Sequence, residues 1–111
     1  RAHRDAPGAG CAVAALAGDV ARSGPATRRA MMQKMDNYLA AMAEAQGGAP
    51  DEQAEDFSLA AWSTMVGAIA LSRVFAGDPR SDRVLAAARK MILDQEQRLA
   101  APAVTPPATA P

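Results

Sequence analysis

Residues 57–76 constrain the fold of this chain more than any other stretch, because Arg73 is the only charged residue among them. Their apolar side chains are spread around the whole circumference of the helix that the stretch predicts. Such a helix has to be covered on every side. The rest of a 111-residue chain supplies too few helices to enclose it, so we expect a partner chain to complete the cover.

A membrane-spanning helix is the competing interpretation, since about 20 apolar residues are enough to cross a bilayer. Serine, threonine and many alanines keep the stretch weakly hydrophobic, and acidic residues crowd its start. No segment rich in lysine and arginine flanks it to set an orientation in a membrane. We therefore expect a helix of a soluble protein that makes no membrane contact.

Glycine and proline residues divide the rest of the chain. Their positions predict an all-α fold, an antiparallel helical bundle of four main helices at about 11–22, 25–46, 51–76 and 80–100. Pro25 and Pro79 suit a first helical turn, and Asp78 is a natural N-cap before Pro79.

These breaks also set the domain limits. Residues 1–9 are predicted to be a lead-in segment and residues 10–101 a single helical domain. Residues 102–111 contain four prolines, so they are predicted to be a disordered tail. The chain begins with arginine and has no secretory signal, so we expect a fragment of a longer protein.

Three of the predicted helices are amphipathic, with apolar residues at helical spacing. The first carries Val13, Leu16, Ala17 and Val20. The second carries Met31, Met32, Met35, Tyr38, Leu39 and Met42. The fourth carries Val84, Leu85, Ala88, Met91, Ile92 and Leu99. Charged residues lie on the opposite side of these helices, so that side is expected to face water.

The third helix also carries a row of small residues. Ser63, Gly67, Ala70 and Val74 recur at spacings of four, three and four. Glycine at the centre of a helix costs roughly 1 kcal/mol relative to alanine, which indicates that the close approach of another helix offsets the cost. We expect this row to meet a second subunit. The alternative is that Gly67 faces helix one or two of its own chain.

Charge and cysteine content exclude several classes of protein. Twelve basic residues balance twelve acidic ones, which argues against this segment binding a phosphate backbone. A lone Cys11 cannot form an internal disulfide, and no His/Cys spacing resembles a zinc site. His3 has no paired nucleophile or carboxylate cluster in the sequence around it. We therefore expect no catalysis, no metal and no cofactor.

A binding site for a small apolar ligand remains possible. Methionine side chains are flexible and polarizable, so the methionine arc suits varied ligands, although ordinary core packing is the alternative. Tyr38 and Trp62 would contact a ligand through a ring face and one polar atom. Cys11 would line the pocket or sense oxidants, unless it is a small buried hydrophobe. The candidate ligand-binding residues are Cys11, Met35, Tyr38, Met42, Trp62, Met65 and Ile69.

Two segments resemble the C-terminal half of TetR/AcrR-family transcriptional regulators. The opening HRDAPGAGCAVAALAGDVAR is similar to a subgroup in which an H-R-D-x-P stretch leads to a Gly-Cys pair at a helix start. The later WSTMVGAIALSRVFAGDP, leading into RVLAAARKMI, is similar in the same order and spacing. The subgroup often has proline where this chain has Ala12, a departure that bears on the helix start.

The resemblance implies a cytoplasmic bacterial regulator that acts as a homodimer. In this family an N-terminal helix-turn-helix reads operator DNA, and a C-terminal helical domain dimerises and binds a small hydrophobic effector. The DNA-reading part would precede Arg1, and the effector pocket would then lack a wall. A standalone helical dimer that serves as an interaction or scaffolding module is the alternative.

The last two helices of such proteins pair with those of a second subunit in a four-helix bundle. Applied to this chain, the candidate dimer-interface residues lie on helices three and four. They are Ser63, Gly67, Ala70, Val74, Val84, Leu85, Ala88, Met91 and Ile92.

Overall fold

A computed structural model describes residues 1–6, 8–45 and 51–101, and the described residues are helical with no strand. This confirms the all-α prediction. The helices are α1 (Ala2–Asp5), α2 (Ala12–Ala21), α3 (Pro25–Ala45), α4 (Glu52–Val74) and α5 (Arg80–Ala100). The break predicted at residues 47–50 and the tail predicted at 102–111 lie outside the described residues.

Local signals explain where the longer helices start and stop. Pro25 is the first residue of α3, where its missing amide hydrogen would have no partner. Asp51 caps α4 by accepting a 2.8 Å hydrogen bond from the backbone nitrogen of Ala54. Beyond α4 the chain turns at Gly77, whose φ of +84° suits a residue without a Cβ. Asp78 then accepts a 2.8 Å bond from the backbone nitrogen of Arg80. The N-cap residue of α5 is Pro79, so the N-cap predicted at Asp78 lies one residue further along the chain and Pro79 precedes the first helical turn.

The structure adds one element to the four that the sequence predicts. The lead-in segment contains α1, a single turn with no buried residue. A turn of this length is not stable in isolation. Contacts elsewhere in the fold must therefore hold it.

Helix α4 is the centre of the fold, since it packs against each of the other four helices. Its most extensive contact is with α5, which returns antiparallel after a five-residue connection. The α4 face toward α5 uses small buried residues, Ala61, Ala68 and Ser72. Ser81 of α5 donates a 2.7 Å hydrogen bond to the carbonyl of Ser72 and so joins the two helices beside the turn.

The core of the described residues is small. Its buried apolar side chains are Val13, Ala61, Trp62 and Ala68. The apolar stripe predicted on α2 is therefore only partly buried, because Leu16 is exposed. The arc predicted on α3 is half-buried at best, and Met32 and Tyr38 lie at the surface.

Helix α4 has the length and composition of a helix that could cross a membrane. It has 23 residues, and its most apolar window has a mean hydropathy of 1.3, with 28% of that window buried. A helix at the centre of a soluble protein has the same length and composition, although such a helix is mostly buried. The packing of the other four helices on α4 is consistent with that second description.

Candidate functional site

One side of α4 is left uncovered by the described residues. We call it the outer face of α4, and it consists of Leu59, Ser63, Gly67, Ala70, Leu71 and Val74, of which Ala70 is half-buried and the others are exposed. Val74 is 78% exposed and Leu71 is 52% exposed. A Cβ added to Gly67 would meet nothing within 4 Å. Gly67 therefore packs against neither α2 nor α3, which rules out that alternative for the described part of the chain.

The polar member of this face has its hydrogen bond within the helix. The Ser63 hydroxyl donates to the carbonyl of Leu59 at 2.8 Å. It can thus be buried by another molecule without losing a partner, since an unsatisfied hydroxyl is what makes such burial costly. The outer face of α4 is consequently suited to a close, largely apolar contact.

The candidate interface residues of α5 divide into two groups. Val84, Leu85, Ala88 and Ile92 are half-buried. Met91 is 54% exposed. Most of the predicted α5 set therefore already packs within this chain, and Met91 is the member left most open to a partner.

Two shallow clefts run between α4 and α5. The first has a volume of about 250 Å³ and is lined by Met65, Ala68, Ile69, Leu85, Ala88, Arg89, Ile92 and Leu93. The second has a volume of about 260 Å³ and is lined by Phe57, Ala60, Ala61, Thr64, Met91, Ile92, Gln95 and Arg98. The first brings together two predicted ligand-binding residues and three predicted interface residues.

The two aromatic residues predicted to contact a ligand meet each other. The ring centroids of Tyr38 and Trp62 lie 5.9 Å apart, with an angle of 45° between the ring planes. Trp62 is buried and Tyr38 is largely exposed. Such a pair contributes about 0.5–1.5 kcal/mol beyond the area that it buries. The contact joins α3 to α4, and Met35 and Met42 lie half-buried on the same helix as Tyr38.

Cys11, the remaining predicted ligand-binding residue, stands at the start of α2. It is the N-cap residue of that helix, a free thiol, and half-buried. Its carbonyl accepts the hydrogen bond of the Ala15 amide, so its backbone role is to begin the helix. Its position beside a helix start agrees with the predicted place of the Gly-Cys pair.

A polar site that the sequence analysis missed lies where α1 meets the turn between α4 and α5. Nη1 of Arg4 donates to Oδ1 of Asp82 at 2.5 Å and to Oγ of Ser81 at 3.2 Å. Nη2 of Arg73 donates to the carbonyl oxygen of His3 at 2.6 Å. We call Arg4, Arg73, Ser81, Asp82 and the His3 carbonyl the junction clamp. Arg4, Arg73, Ser81 and Asp82 line a cavity of about 660 Å³ together with residues of the turn between α4 and α5.

Electrostatics in this region favour ionised carboxylates. The hydrogen bond from Arg4 lowers the pKa of both Asp5 and Asp82 below its ordinary value of 3.8. The Arg80 side chain lowers the pKa of Asp78 in the same way. Arg1 adds an ion pair to the second oxygen of Asp82 at 3.2 Å. The carboxylates around the turn are therefore charged and paired at neutral pH.

The signal for this site was present in the sequence as two separate motifs. The HRD stretch holds His3 and Arg4, and the LSRVFAGDP stretch holds Arg73. His3 is 70 residues from Arg73, and Arg4 is 77 and 78 residues from Ser81 and Asp82. No local pattern indicates a contact over such distances. Gly10 lies here too, since a Cβ on it would lie 2.6 Å from the His3 carbonyl oxygen.

No group of three or more His, Cys, Asp and Glu residues in the described ranges could hold a metal ion. No family model, no curated protein and no solved structure matches this chain. What the protein does therefore has to be inferred from its own residues.

Proposed function

We propose that this chain is the effector-binding and dimerisation domain of a TetR-like transcriptional regulator, whose DNA-reading helix-turn-helix would lie upstream of Arg1. The observation that carries the proposal is the uncovered outer face of α4. Val74 and Leu71 are exposed on it, and open space lies above Gly67. Soluble monomers rarely expose a continuous apolar patch larger than a few hundred Å².

A second copy of the chain is the occupant that fits this face. In a two-fold symmetric contact the same patch serves both partners, so a flat row of small residues meets its own copy without steric conflict. Met91 and Leu99 add exposed apolar side chains on α5, beside Phe57 and Ala60 of α4. Dimerisation would also enlarge the core, which has four buried apolar side chains among the described residues.

The effector would enter from the apolar side of the fold. The cleft lined by Met65 and Ile69 is nearly free of polar surface groups apart from Arg89. Trp62 lies on the same central helix as Met65 and Ile69, and its contact with Tyr38 of α3 would open to admit a ring or an alkyl chain. A ligand shifts the equilibrium only if it binds the helix arrangements unequally. In the proposed mechanism that shift changes the spacing of the two DNA-reading heads across the half-sites.

The oligomeric state is the first test. Sedimentation at micromolar concentration should give twice the monomer mass of 11.4 kDa. A monomer at that concentration with Trp62 still buried would contradict the proposal. Flotation of the chain with lipid vesicles would contradict it as well, because the outer face of α4 would then be facing lipid.

The DNA-reading role is tested separately. The described chain should not retard duplex DNA at about 150 mM salt, because it carries no net charge and binding to phosphates depends on salt. The gene should encode a helix-turn-helix in the roughly 80–100 residues before Arg1, the size of a small domain. A start codon immediately before Arg1 would favour the standalone interaction module, which shares the dimer contact but reads no DNA.

Ligand binding has its own readout, since Trp62 is the only tryptophan in the chain. Small apolar ligands that part the Tyr38–Trp62 contact should change Trp62 emission in a saturable way. Met32→Ala is the matched control, because Met32 is an exposed methionine on the same helix as Tyr38. Equal affinities in Met32→Ala and Met35→Ala would contradict a role for Met35 in ligand binding.

A further inference from the structure

Helix α1 depends on the junction clamp for its position. It contains no buried side chain, so apolar burial does not hold it. The Arg4 side chain is only 19% exposed, the most shielded member of the ion pairs among the described residues. A hydrogen bond between charged groups contributes more when solvent is partly excluded. The docking of α1 is thus controlled by a few polar contacts.

These contacts attach α1 to two different helices. Arg4 reaches Ser81 and Asp82, which belong to α5. The His3 carbonyl accepts from Arg73, which belongs to α4. Helix α1 therefore bridges α4 and α5 at this end of the fold. A shift of the two helices relative to each other lengthens one of the two attachments unless an arginine side chain changes its rotamer to follow it.

Ser81 extends the connection into the packed interior. Its hydroxyl accepts from Arg4 and donates to the carbonyl of Ser72, and both serines are buried. The spacing of α4 and α5 at this point therefore sets the position of the acceptor that Arg4 uses. Gly10 packs so closely on this contact that a side chain at position 10 would not fit. A Cβ on Gly10 would lie 3.2 Å from Nη2 of Arg73 as well as against the His3 carbonyl.

We propose that the junction clamp couples the docking of α1 to the relative position of α4 and α5, so that α1 is released when these helices shift. The inference rests on the proposed function, in which α4 and α5 respond to ligand and dimerisation while α1 leads toward the DNA-reading half. Such coupling is reciprocal, so whatever releases α1 also changes the α4–α5 equilibrium by the same factor.

Coupling within one chain is tested by loosening α4–α5 packing away from the clamp. Ile92→Ala removes a side chain that lines both clefts and touches no clamp residue in them. The readout is the solvent exchange of the Asp5 and Ala6 amides, which bond to the carbonyls of Arg1 and Ala2. Coupling predicts exchange about fivefold faster or more. Leu16→Ala, an exposed leucine on α2, is the matched control and should leave these amides unchanged.

A second variant separates coupling from general instability. In an Arg4→Gln background the attachment of α1 to α5 through Arg4 is already lost, while Arg73 still holds the His3 carbonyl. Adding Ile92→Ala should therefore produce little further increase in exchange at Asp5 and Ala6. Independent effects that multiply in the double variant would overturn the proposal. Equal acceleration at the Ala15 amide of α2 would also overturn it, because the whole fold would then be loosened.

The dimer provides a reciprocal check and distinguishes the two proposals. If dimerisation slows exchange of the α1 amides by a given factor, Arg4→Gln should raise the dimer dissociation constant by up to the square of that factor, because each dimer contains two clamps. An unchanged dissociation constant despite slowed exchange would overturn the coupling. A chain that stays monomeric would contradict the proposed function, while the Ile92→Ala measurement would still decide whether the clamp couples α1 to α4 and α5.

Discussion

The outer face of α4 and the junction clamp are neighbours, since Val74 belongs to one and Arg73 to the other. They differ in what they require. The outer face of α4 is apolar and has no cover from the described residues, with open space above Gly67. The junction clamp is polar, and Arg4 and Asp82 pair with each other inside the chain. One surface needs another molecule, whereas the ion pairs and hydrogen bonds of the other are formed within the chain, although Nε of Arg73 is buried there without a hydrogen-bond partner among the described residues.

Two glycines, one in each region, show this difference between the outer face of α4 and the junction clamp. Gly67 and Gly10 are both small residues at a contact surface, but a Cβ on Gly67 meets nothing and a Cβ on Gly10 meets backbone oxygen at 2.6 Å. The first glycine leaves room for something outside the chain, while the second makes room for the chain itself. Identical residues thus mark an external contact in one region and an internal one in the other.

The largest effect is expected on the outer face of α4. Gly67→Leu should overpack the dimer contact, and overpacking costs about 1–3 kcal/mol at each site. Because a two-fold contact contains the change twice, the loss on dimerisation should be about 2–6 kcal/mol. The dimer dissociation constant, measured by sedimentation, should rise accordingly while helical circular dichroism persists.

The monomer supplies the control for Gly67→Leu. Nothing within 4 Å resists the new side chain, and leucine favours helix more than glycine does. The melting temperature of the monomer should therefore stay level or rise. A lower melting temperature with an unchanged dissociation constant would mean that Gly67 lies against its own chain in solution.

A matched substitution separates the two regions. Gly10→Ala should destabilise the docking of α1 by about 1–3 kcal/mol, because the methyl group must displace backbone oxygens. Gly67→Ala should stabilise α4 by up to about 1 kcal/mol through helix propensity. Amide exchange at Asp5 and Ala6 gives the first value and thermal unfolding gives the second. Similar small effects at both glycines would remove the distinction between the regions.

Sequence patterns predicted the longer helices to within about two residues because their signals are local. Pro25 starts α3, and Asp51 and Asp78 accept hydrogen bonds from the first turns of α4 and α5. Helix α1 was not predicted, since the stability of its four residues comes from contacts with residues about 70 positions away. Contacts of that separation leave no periodic trace in the chain.

The site was predicted in part for a related reason. Helix α4 carries two rows of small residues, one through Gly67 and one through Ala61, Ala68 and Ser72. Both rows are spaced so that another helix could approach closely, so the sequence alone does not show which row packs within the chain. The structure directs the second row to α5 and leaves the first exposed. Because the second row packs against α5, Leu85, Ala88 and Ile92 of α5 are half-buried within the chain.

Acid should affect the junction clamp before it affects the aromatic contact. The pKa of Asp82 is lowered in the folded state by the hydrogen bond from Arg4. Its contribution to α1 docking is therefore complete above pH about 4 and is lost as pH falls further toward the folded pKa. NMR shifts of the Asp5 and Ala6 amides should move over that range while Trp62 emission stays constant. In Asp82→Asn the amide shifts should lose most of this acid transition, and a transition of undiminished size would assign it to another carboxylate.

Salt gives the smallest effect and acts on the two regions in opposite directions. The Debye length falls from about 10 Å at 0.1 M ionic strength to about 3 Å at 1 M. Screening should therefore weaken the pairing of Asp82 with Arg4 and with the more exposed Arg1. Exchange at the Ala6 amide should rise by about two- to threefold, the size expected for a partly exposed ion pair.

The apolar dimer contact should hold or tighten, most clearly in sulfate, which strengthens apolar burial. Sodium sulfate and sodium chloride at equal ionic strength separate the two effects. A dimer that dissociates in both salts would show that the outer face of α4 associates through charge, and the contrast between the regions would not hold.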